Sequence, residues 1–539
     1  MCSGVCLLFM DTWFEEGQTY CLISVYPLWT EQSTGNWTQQ YVQPVAIDET
    51  GVTLNLVLIK DRDSGTMVKS SAKNHNEGTL QKSLEEVKMP DKPNILFFHI
   101  DNVSQGDFGC YGGAFPLGAE TPNIDRFADE SLLLTNYNVE AQCTPTRSAL
   151  MTGRHSVRTG CITALPGSGL VAWEITIADQ LKALGYRNAI FGKWHCGEEE
   201  GRYPTDKGFD YWYGLNGTWD VALWPQDKWF KQENFEPEYM LESKGEGDLE
   251  EIKVIDAEVR RNVDLEFLEK AIAWMIDAVE RDEPFFVYFN HSNIHFPTLP
   301  REEYQDSSNG GLVADCIQMI DGDFEILLGK IDELGIKENT IVILAGDNGR
   351  DTSFHAPNNR NSSGSWRGGY FSTYEGNNRT AGMIRWPDTI KPRQSDEMMH
   401  VVDWFPTLLC LLDQEDKIPT DRVLDGCDQS AFILGEQDHS NRDRFHMFFD
   451  QLHVGMRYKN FKVLTHKIED GAAPIQQLAI PHIYNLTVNP DEDTPYNYEQ
   501  GHSWVLYKVF MPSALELQAS LKEDSVPFGA PLDYNPYDQ

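Results

Sequence analysis

The stretch NILFFHIDN, residues 94–102, holds the pattern on which the fold prediction rests. A short run that is apolar on both faces ends directly in Asp101 and Asn102. Such a run is typical of a strand buried in a parallel sheet, and α/β sheets bind their ligands beyond the carboxyl ends of their strands. The stretch therefore predicts a central strand with functional polar residues at its end.

Three later stretches repeat this pattern of an apolar, β-rich run that stops at a polar group: YRNAIFGKWH (186–195), PFFVYFNHSNIHFP (284–297) and NTIVILAGDNG (339–349). Helix-like segments lie between them: TIADQLKALG, DLEFLEKAIAWMIDAVERD and DCIQMIDGDFEILLGKIDELG. The last two carry apolar residues at helical spacing. Alternating strands and helices predict an α/β fold with a large, mainly parallel or mixed sheet flanked by helices.

We expect three regions along the chain. Residues 1–90 form an N-terminal extension of unassigned role, in which QTYCLISVYPLWT and GVTLNLVLI can be strands. The α/β domain occupies 91–420, and 421–539 forms a smaller antiparallel α+β subdomain with a tail. That last region contains the strand-like pieces FHMFFDQL, VGMRYKN, FKVLTH and IYNLTVNP, followed by the helix-like PSALELQASLKED.

Composition indicates a globular protein and argues against two kinds of partner. Hydrophobic residues make up 41% of the 539 residues, and the formal net charge is −39. Such an acidic chain is a poor match for nucleic acid or an anionic membrane surface. No long apolar run predicts a transmembrane segment, and the start MCSGVCLLFMDTW, without basic residues, is a poor secretory signal. The ten cysteines show no zinc or thioredoxin-like spacing.

The stretch EAQCTPTRSALMTGRH, residues 140–155, predicts a short helix. Thr144 is a suitable N-cap, Pro145 suits the first helical position, and Gly153 can end the helix. Cys143 would then lie just outside the helix N-terminus, where free N–H groups favour an anionic nucleophile. A buried cysteine beside a capped helix explains the same residues, so this stretch alone does not decide between the two.

The polar groups at the four strand ends combine two kinds of chemistry. They are Asp101-Asn102, Lys193 with His195, His295, and Asp347-Asn348. Carboxylate and amide oxygens from separate strands suit a hard cation such as Ca²⁺ or Mg²⁺. Two histidines and a lysine suit acid–base work on an anionic group.

The motifs that carry this chemistry resemble those of a known family. CTPTRSALMTGR resembles the sulfatase motif, in which a maturation enzyme oxidises the cysteine to formylglycine, and FGKWHCGE is similar to the second motif of that family. DNVSQGDFGCYGG, TPNIDRFA, AGDNG and YNLTVNPDED fall in the expected order. The resemblance is to formylglycine-dependent type I sulfatases, arylsulfatase-like members of the alkaline phosphatase superfamily. It covers about residues 91–539.

The resemblance implies a sulfuric ester hydrolase that uses a formylglycine made from Cys143 and a bound Ca²⁺, with Mg²⁺ as the alternative ion. The implied metal ligands are Asp101, Asn102, Cys143, Asp347 and Asn348. The implied catalytic residues are Cys143, Arg147, Lys193, His195 and His295. In the family pattern His195 is the base that promotes release of sulfate. Lys193 and His295 bind the sulfate and its leaving oxygen, and Arg147 stabilises the formylglycine.

The implied partners are a small-molecule or carbohydrate sulfate ester and, during maturation, a formylglycine-generating enzyme. Two other functions stay open at this point. One is hydrolysis of phosphonate monoesters or phosphodiesters, and the other is metal and anion binding by an unmodified, non-catalytic protein. Family analogy favours a periplasmic or secreted location, and the weak signal sequence favours the cytoplasm.

Two positions depart from the family pattern. Asn102 stands where an aspartate is more common, and Tyr370 in WRGGYFSTYEG (366–376) stands near the place of a substrate-binding lysine. We expect Arg367 to take over the role of the absent cation. The tryptophan-rich GTWDVALWPQDKWF (217–230) is compatible with an aromatic rim around the substrate, or with loop packing.

Overall fold

The computed structural model describes residues 92–113, 118–165, 167, 169–221, 236–351, 364, 366–495 and 501–538, together with the backbone of the strands between residues 9 and 87. The chain divides into two units, Met1–Lys92 and Pro93–Gln539.

The first unit contains antiparallel strands. Phe9–Glu15 pairs with Gln18–Ser24, and Thr30–Glu31 pairs with Trp37–Thr38. A separate four-stranded sheet has the order Gln40–Val42, Thr53–Lys60, Met67–Lys73, Ser83–Val87. The strands predicted in QTYCLISVYPLWT and GVTLNLVLI are present as Gln18–Ser24 and Thr53–Lys60.

The second unit is built on a mixed sheet that has ten strands among the described residues. Its order is Leu249–Val254, Tyr239–Ser243, Tyr211–Gly214, Arg187–Phe191, Phe285–His291, Asn94–Ile100, Thr340–Gly346, Gly382–Arg385, Leu132–Leu134, Arg393–Ser395. The third to seventh strands of this order are mutually parallel. The strand 94–100 is central and fully buried, as the opening stretch predicts.

Alternation along the buried strands creates two cores, one on each face of the sheet. Leu96 and Phe98 belong to the core formed with helices Ala257–Glu280 and Leu312–Glu333. Ile95 and Phe97 belong to the opposite core, which includes residues of three shorter helices: Cys143–Thr152, Ile177–Ala183 and Trp404–Leu411. Successive strand residues point to opposite faces, so an unbroken apolar run is what a sheet covered on both sides requires. The predicted α/β layering is confirmed.

The C-terminal part contains a four-stranded antiparallel sheet in chain order. Its strands are Arg444–Phe449, Leu452–Tyr458, Phe461–Lys467 and Gln476–Asn485. A helix follows as Val505–Phe510 and Met511–Asp524. The predicted antiparallel α+β subdomain is therefore confirmed.

Short elements complete the second unit. The short helices are Pro122–Asp129, Ser156–Thr159, Glu375–Asn378 and Ser430–Leu434. A small three-stranded sheet joins Arg379–Thr380, Tyr137–Asn138 and Met399–His400. Within the described ranges, no helix combines the length and apolar character that a membrane span needs.

Candidate active site

The sheet register brings the predicted polar pairs together at one edge. Ile100 pairs with Gly346 on the neighbouring parallel strand, so Asp101 and Asp347 leave the sheet side by side. Asn102 adopts a left-handed backbone with φ of 62°, and its N–H donates to Asp347 Oδ1 at 2.9 Å. The Nδ2 of Asn348 donates to Asn102 Oδ1 at 2.5 Å, while Asn348 Oδ1 is buried without a hydrogen-bond partner.

Cys143 lies directly against this group. Its Sγ is 3.5 Å from Asp101 Oδ1 and 3.9 Å from Asn102 Oδ1, and the hydroxyl of Tyr370 is 3.8 Å away. The helix begins at Cys143 itself, with Gln142 as the N-cap, and it ends at Thr152, with Gly153 as the C-cap at a φ of 69°. The predicted end is confirmed, but the prediction of Thr144 as N-cap is wrong. Extended backbone at Gln142 lets Cys143 take the first helical position.

Arg147 lies one helical turn after Cys143 and is completely buried. Its Nη2 donates to Asp347 Oδ2 at 2.9 Å and lies 3.6 Å from Asp101 Oδ2. Its Nη1 donates to the Lys193 carbonyl at 3.0 Å and to Asn290 Oδ1 at 2.6 Å. One guanidinium thus connects the Cys143 helix to the ends of three strands.

Lys193 and His295 meet at Thr218. The Nζ of Lys193 donates to Asp101 Oδ2 at 2.9 Å and to Thr218 Oγ1 at 3.2 Å. His295 Nε2 is 3.3 Å from the same hydroxyl, and its Nδ1 is 2.7 Å from the Phe296 carbonyl. Because a carbonyl only accepts, Nδ1 carries a proton and directs Nε2 into the site.

His195 is buried beside this group with an unusual backbone. Its φ is 60°, and its N–H donates to the Asn216 carbonyl at 2.8 Å. Neither ring nitrogen has a hydrogen-bond partner among the described atoms. Buried polar atoms are nearly always satisfied, so a histidine left free in this way is typical of a group that awaits a ligand.

The charges of the site act strongly on one another. Burial would raise the pKa of Asp101, but Lys193, His295 and Arg147 together hold that pKa well below its usual range. Burial and the neighbouring Asp101 raise the pKa of Asp347 to about 7.

The site favours the neutral forms of the Cys143 thiol and the His195 imidazole. Burial, followed by Asp101, raises the pKa of the Cys143 thiol well above its usual range. Burial, followed by Lys193, lowers the pKa of His195 well below its usual range.

The donor set fits a hard cation. Asp101 and Asp347 supply carboxylate oxygens, and Asn348 supplies a buried amide oxygen that has no other partner. Ligand atoms of Asp101, Cys143 and His295 also lie within 4.8 Å of one another. Oxygen-rich sites of this kind suit Ca²⁺ or Mg²⁺.

A second buried titratable cluster consists of Glu140, His155 and His400. Glu140 Oε1 bonds to His155 Nδ1 at 2.6 Å, and His400 Nδ1 accepts from the Val402 N–H at 3.4 Å.

The prediction that Arg367 meets the substrate is wrong, and of the two alternatives for the tryptophan-rich stretch, loop packing holds for Trp219. The guanidinium of Arg367 lies 3.0 Å from Glu469 Oε2 and 4.2 Å from the ring centre of Tyr374, so it is held by those partners. Trp219 is fully buried beneath the Arg260 guanidinium and cannot form an aromatic rim. The rest of the predicted rim, 222–230, lies outside the described residues.

Two supporting residues were not anticipated from sequence. Thr218 receives Lys193, and Asn290 receives Arg147. Asn290 could have been suspected, because it is a polar residue at the end of an apolar strand. Thr218 lies in a loop whose composition gives no comparable indication.

Known proteins resemble this chain in sequence and in structure. A family model described as Sulfatase matches residues 93–414. The N-acetylgalactosamine-6-sulfatase of Rattus norvegicus is 31% identical over 367 residues, which cover 64% of this chain and 66% of that protein. Arylsulfatase A of Homo sapiens is 29% identical over 469 residues, which cover 81% of this chain and 89% of that protein. A crystallised sulfatase from Pseudoalteromonas sp. superposes with a TM-score of 0.72 at 28% identity, over 80% of this chain and 91% of that one.

The matched region contains every predicted strand-end residue and the Cys143 helix. The chain belongs to the sulfatase family, whose members are hydrolases acting on sulfuric ester bonds, within the alkaline phosphatase superfamily.

Proposed function

We propose that this chain hydrolyses a sulfate monoester with residue 143 as the nucleophile, after oxidation of Cys143 to formylglycine. The observation that carries the proposal is the position of Cys143 on the first turn of a buried helix, 3.5 Å from Asp101. An acceptor atom there meets free helix N–H groups and the charged residues of the sheet edge.

Four residues support a bound Ca²⁺: Asp101, Asn102, Asp347 and Asn348. Oxygens of Asp101 and Asn102 lie 3.5 and 3.9 Å from Cys143 Sγ, Asp347 Oδ1 accepts from the Asn102 N–H, and Asn348 Oδ1 has no hydrogen-bond partner. The ion would supply positive charge that polarises the sulfate group.

As an aldehyde hydrate, residue 143 would present one hydroxyl to attack sulfur and a second one to drive release of sulfate. We assign the role of base for that release to His195, because both its ring nitrogens are free and its pKa is lowered so that it is neutral at physiological pH. A neutral imidazole can accept the proton of the second hydroxyl.

Lys193 and His295 are assigned to the leaving oxygen. Both lie on Thr218, and the lysine is fixed to Asp101 by its hydrogen bond of 2.9 Å. A fixed cation stabilises the negative charge that develops as the S–O bond breaks, and one of the two groups donates the proton to the departing alcohol. Arg147 keeps the nucleophile helix on Asp347 and offsets the charge of the two aspartates.

The substrate is proposed to be an organic sulfate monoester, with sulfated sugars as the first class to test. The relatives named N-acetylgalactosamine-6-sulfatase and arylsulfatase A support a sugar and an aryl ester respectively. Rates on a sulfated hexosamine and on p-nitrophenyl sulfate separate these two classes.

Mass spectrometry of the Cys143 peptide, combined with assays on p-nitrophenyl sulfate, tests the proposed function. We expect an aldehyde or its hydrate at position 143, loss of turnover in Cys143→Ala, and retained turnover in the control Cys410→Ala. Cys410 is a half-buried cysteine on the helix Trp404–Leu411.

An unmodified thiol in a protein coexpressed with a formylglycine-generating enzyme would contradict the proposal. A faster rate on an aryl phosphonate monoester than on the aryl sulfate would contradict the assigned substrate class.

A further inference from the structure

Arg260 binds the turn that carries His295. This turn follows the strand Phe285–His291, and the His295 N–H closes it by donating to the Ser292 carbonyl at 2.9 Å. Arg260 lies on the helix Ala257–Glu280 and is completely buried. Its Nη2 donates to the same Ser292 carbonyl at 2.8 Å and to the His295 carbonyl at 2.9 Å. One guanidinium nitrogen therefore holds both ends of the turn.

Further contacts fix the same turn to the same helix. Arg260 Nη1 donates to Ser292 Oγ at 3.2 Å and to Asn293 Oδ1. Asp264, one helical turn after Arg260, accepts from the Ser292 N–H at 3.0 Å. Because a guanidinium and a carboxylate of one helix both bind the turn, the helix determines where the turn lies.

The Arg260 guanidinium also contacts the loop that meets the His295 ring. Its Cζ atom lies 4.7 Å from the centre of the Trp219 ring, and Trp219 directly follows Thr218 in the chain. The Thr218 hydroxyl is the group 3.3 Å from His295 Nε2. Arg260 therefore contacts both of the chain segments that bring this ring nitrogen and this hydroxyl together.

The position of the turn determines the position of the His295 ring. His295 Nδ1 is 2.7 Å from the Phe296 carbonyl, so the ring is hydrogen-bonded to the backbone next to it. The peptide carbonyl of His295, which accepts from Arg260, comes immediately before that of Phe296. A shift of the first carbonyl would therefore displace the second, and the ring with it.

The role of Arg260 is geometric, because other residues supply the positive charge of the site. Burial lowers the pKa of Arg260 to about 10, so its guanidinium remains protonated at neutral pH. Its hydrogen bonds to described residues go to two carbonyls, a hydroxyl and an amide. Hydrogen bonds from a buried cation are strong and directional. The cations next to Asp101 are Lys193 and Arg147.

We propose that Arg260 is a positioning residue for this site. By holding the turn 292–295 and the loop of Thr218, it places His295 Nε2 at the oxygen of the leaving group. The inference rests on the proposed sulfatase function, in which His295 and Lys193 are assigned to that oxygen. Proton transfer and charge stabilisation depend on hydrogen-bond geometry, and a misplacement of about 1 Å can slow a reaction about a hundredfold.

The test measures kcat/KM on two sulfate esters that differ in their leaving group, phenyl sulfate and p-nitrophenyl sulfate. Phenolate is the more basic leaving group and needs more stabilisation as it departs. In Arg260→Lys the charge is kept, but an ammonium cannot bind two carbonyls with the fork geometry of a guanidinium. The control is Arg261→Lys. Arg261 is the next residue of the same helix, and its Nη1 donates to the Pro300 carbonyl, outside the turn.

We expect Arg260→Lys to lower kcat/KM about thirtyfold on phenyl sulfate and about fivefold on p-nitrophenyl sulfate, and Arg261→Lys to leave both within about twofold. Arg260→Gln provides an uncharged second variant, for which we expect the same order of losses. In a His295→Ala background, Arg260→Lys should change kcat/KM on p-nitrophenyl sulfate by less than about twofold, because the ring that it positions is already absent.

Circular dichroism and mass spectrometry of residue 143 confirm equal folding and equal modification in the proteins compared. The inference is overturned if the Arg260 variants lose equally on the two esters or if Arg261→Lys loses as much. It is also overturned if the loss on p-nitrophenyl sulfate is undiminished in the His295→Ala background. A parent that is fully modified yet inactive on every sulfate ester would instead overturn the proposed function, and this inference with it.

Discussion

Replacement of Arg147 by methionine should separate the structural role of this guanidinium from any role in chemistry. Methionine keeps the length and the helix propensity of the side chain, so the change removes mainly the charge and the hydrogen bonds. In the structure the lost bonds are those to Asp347 at 2.9 Å, to the Lys193 carbonyl at 3.0 Å and to Asn290 at 2.6 Å. Asp347 and Asp101 would then face each other with Lys193 as their remaining partner cation.

The expected cost follows from the burial of the pair. Arg147 and Asp347 both have side chains with 0% exposure, and removing one member of such a pair typically destabilises a protein by about 3–5 kcal/mol. The control is Arg126→Met, which breaks the ion pair with Glu325 where the side chains are 53% and 43% exposed. An exposed pair is worth about 0–1 kcal/mol, so the two methionine variants should differ clearly.

Denaturant unfolding at pH 7, followed by tryptophan fluorescence, measures this difference. It is run once with a chelator and once with excess calcium. The cost in Arg147→Met should be largest in chelator and smaller with calcium, because a bound cation compensates the aspartates that have lost the arginine. A cost below about 1 kcal/mol in chelator, or one equal to that of Arg126→Met, would refute the reasoning that a buried charge pair holds the Cys143 helix to the sheet edge.

Three further predictions concern release of sulfate, metal affinity and pH. The His195→Ala variant should accumulate a covalently sulfated enzyme, because His195, whose ring nitrogens have no hydrogen-bond partner, is the base assigned to sulfate release. If mass spectrometry detects no sulfated adduct, His195 does not have that role. Asn102→Asp should tighten Ca²⁺ binding to the apo-protein in a calorimetric titration, since affinity for a hard cation rises with ligand charge, and equal or weaker affinity would contradict it. Burial, and after it the neighbouring His453, lowers the pKa of His446 to about 3 in the folded protein. Below pH 6.5 His446 therefore binds a proton in the unfolded chain but stays neutral in the folded protein. The contribution of His446 should therefore lower the free energy of unfolding by about 2 kcal/mol between pH 6.5 and 5. If the free energy of unfolding of a His446→Gln variant falls as steeply over this pH range, His446 is not responsible.

Local pattern was enough to predict the framework of this protein. The strand 94–100 and its parallel neighbours are revealed by short apolar runs, because a strand covered on both faces needs apolar residues at every position. Residues that directly follow such strands must collect at one edge, so Asp101 and Asp347 could be placed together before any coordinates were known. The motif around Cys143 had the spacing of a known family, and that spacing carried the function.

The tertiary structure decided which partner each long polar side chain takes. Arg367 was expected at the substrate and instead pairs with Glu469, which lies more than 100 residues later in the chain. Trp219 was a candidate for a pocket rim and is buried under Arg260 from a distant helix. A hydroxyl from Tyr370 reaches the sulfur because a strained Phe371 is packed against the C-terminal sheet.

These outcomes have one physical reason. Hydrophobic periodicity is a property of neighbouring residues, so it can be recognised along the sequence and predicts strands and helices. A flexible charged or hydroxyl-bearing side chain can satisfy its hydrogen bonds with any partner that folding brings within reach. The sequence therefore determined the sheet, the helices and the set of reactive residues. The positions of Arg367, Tyr370 and His195 depended instead on which hydrogen-bond donors and acceptors the fold brings next to them.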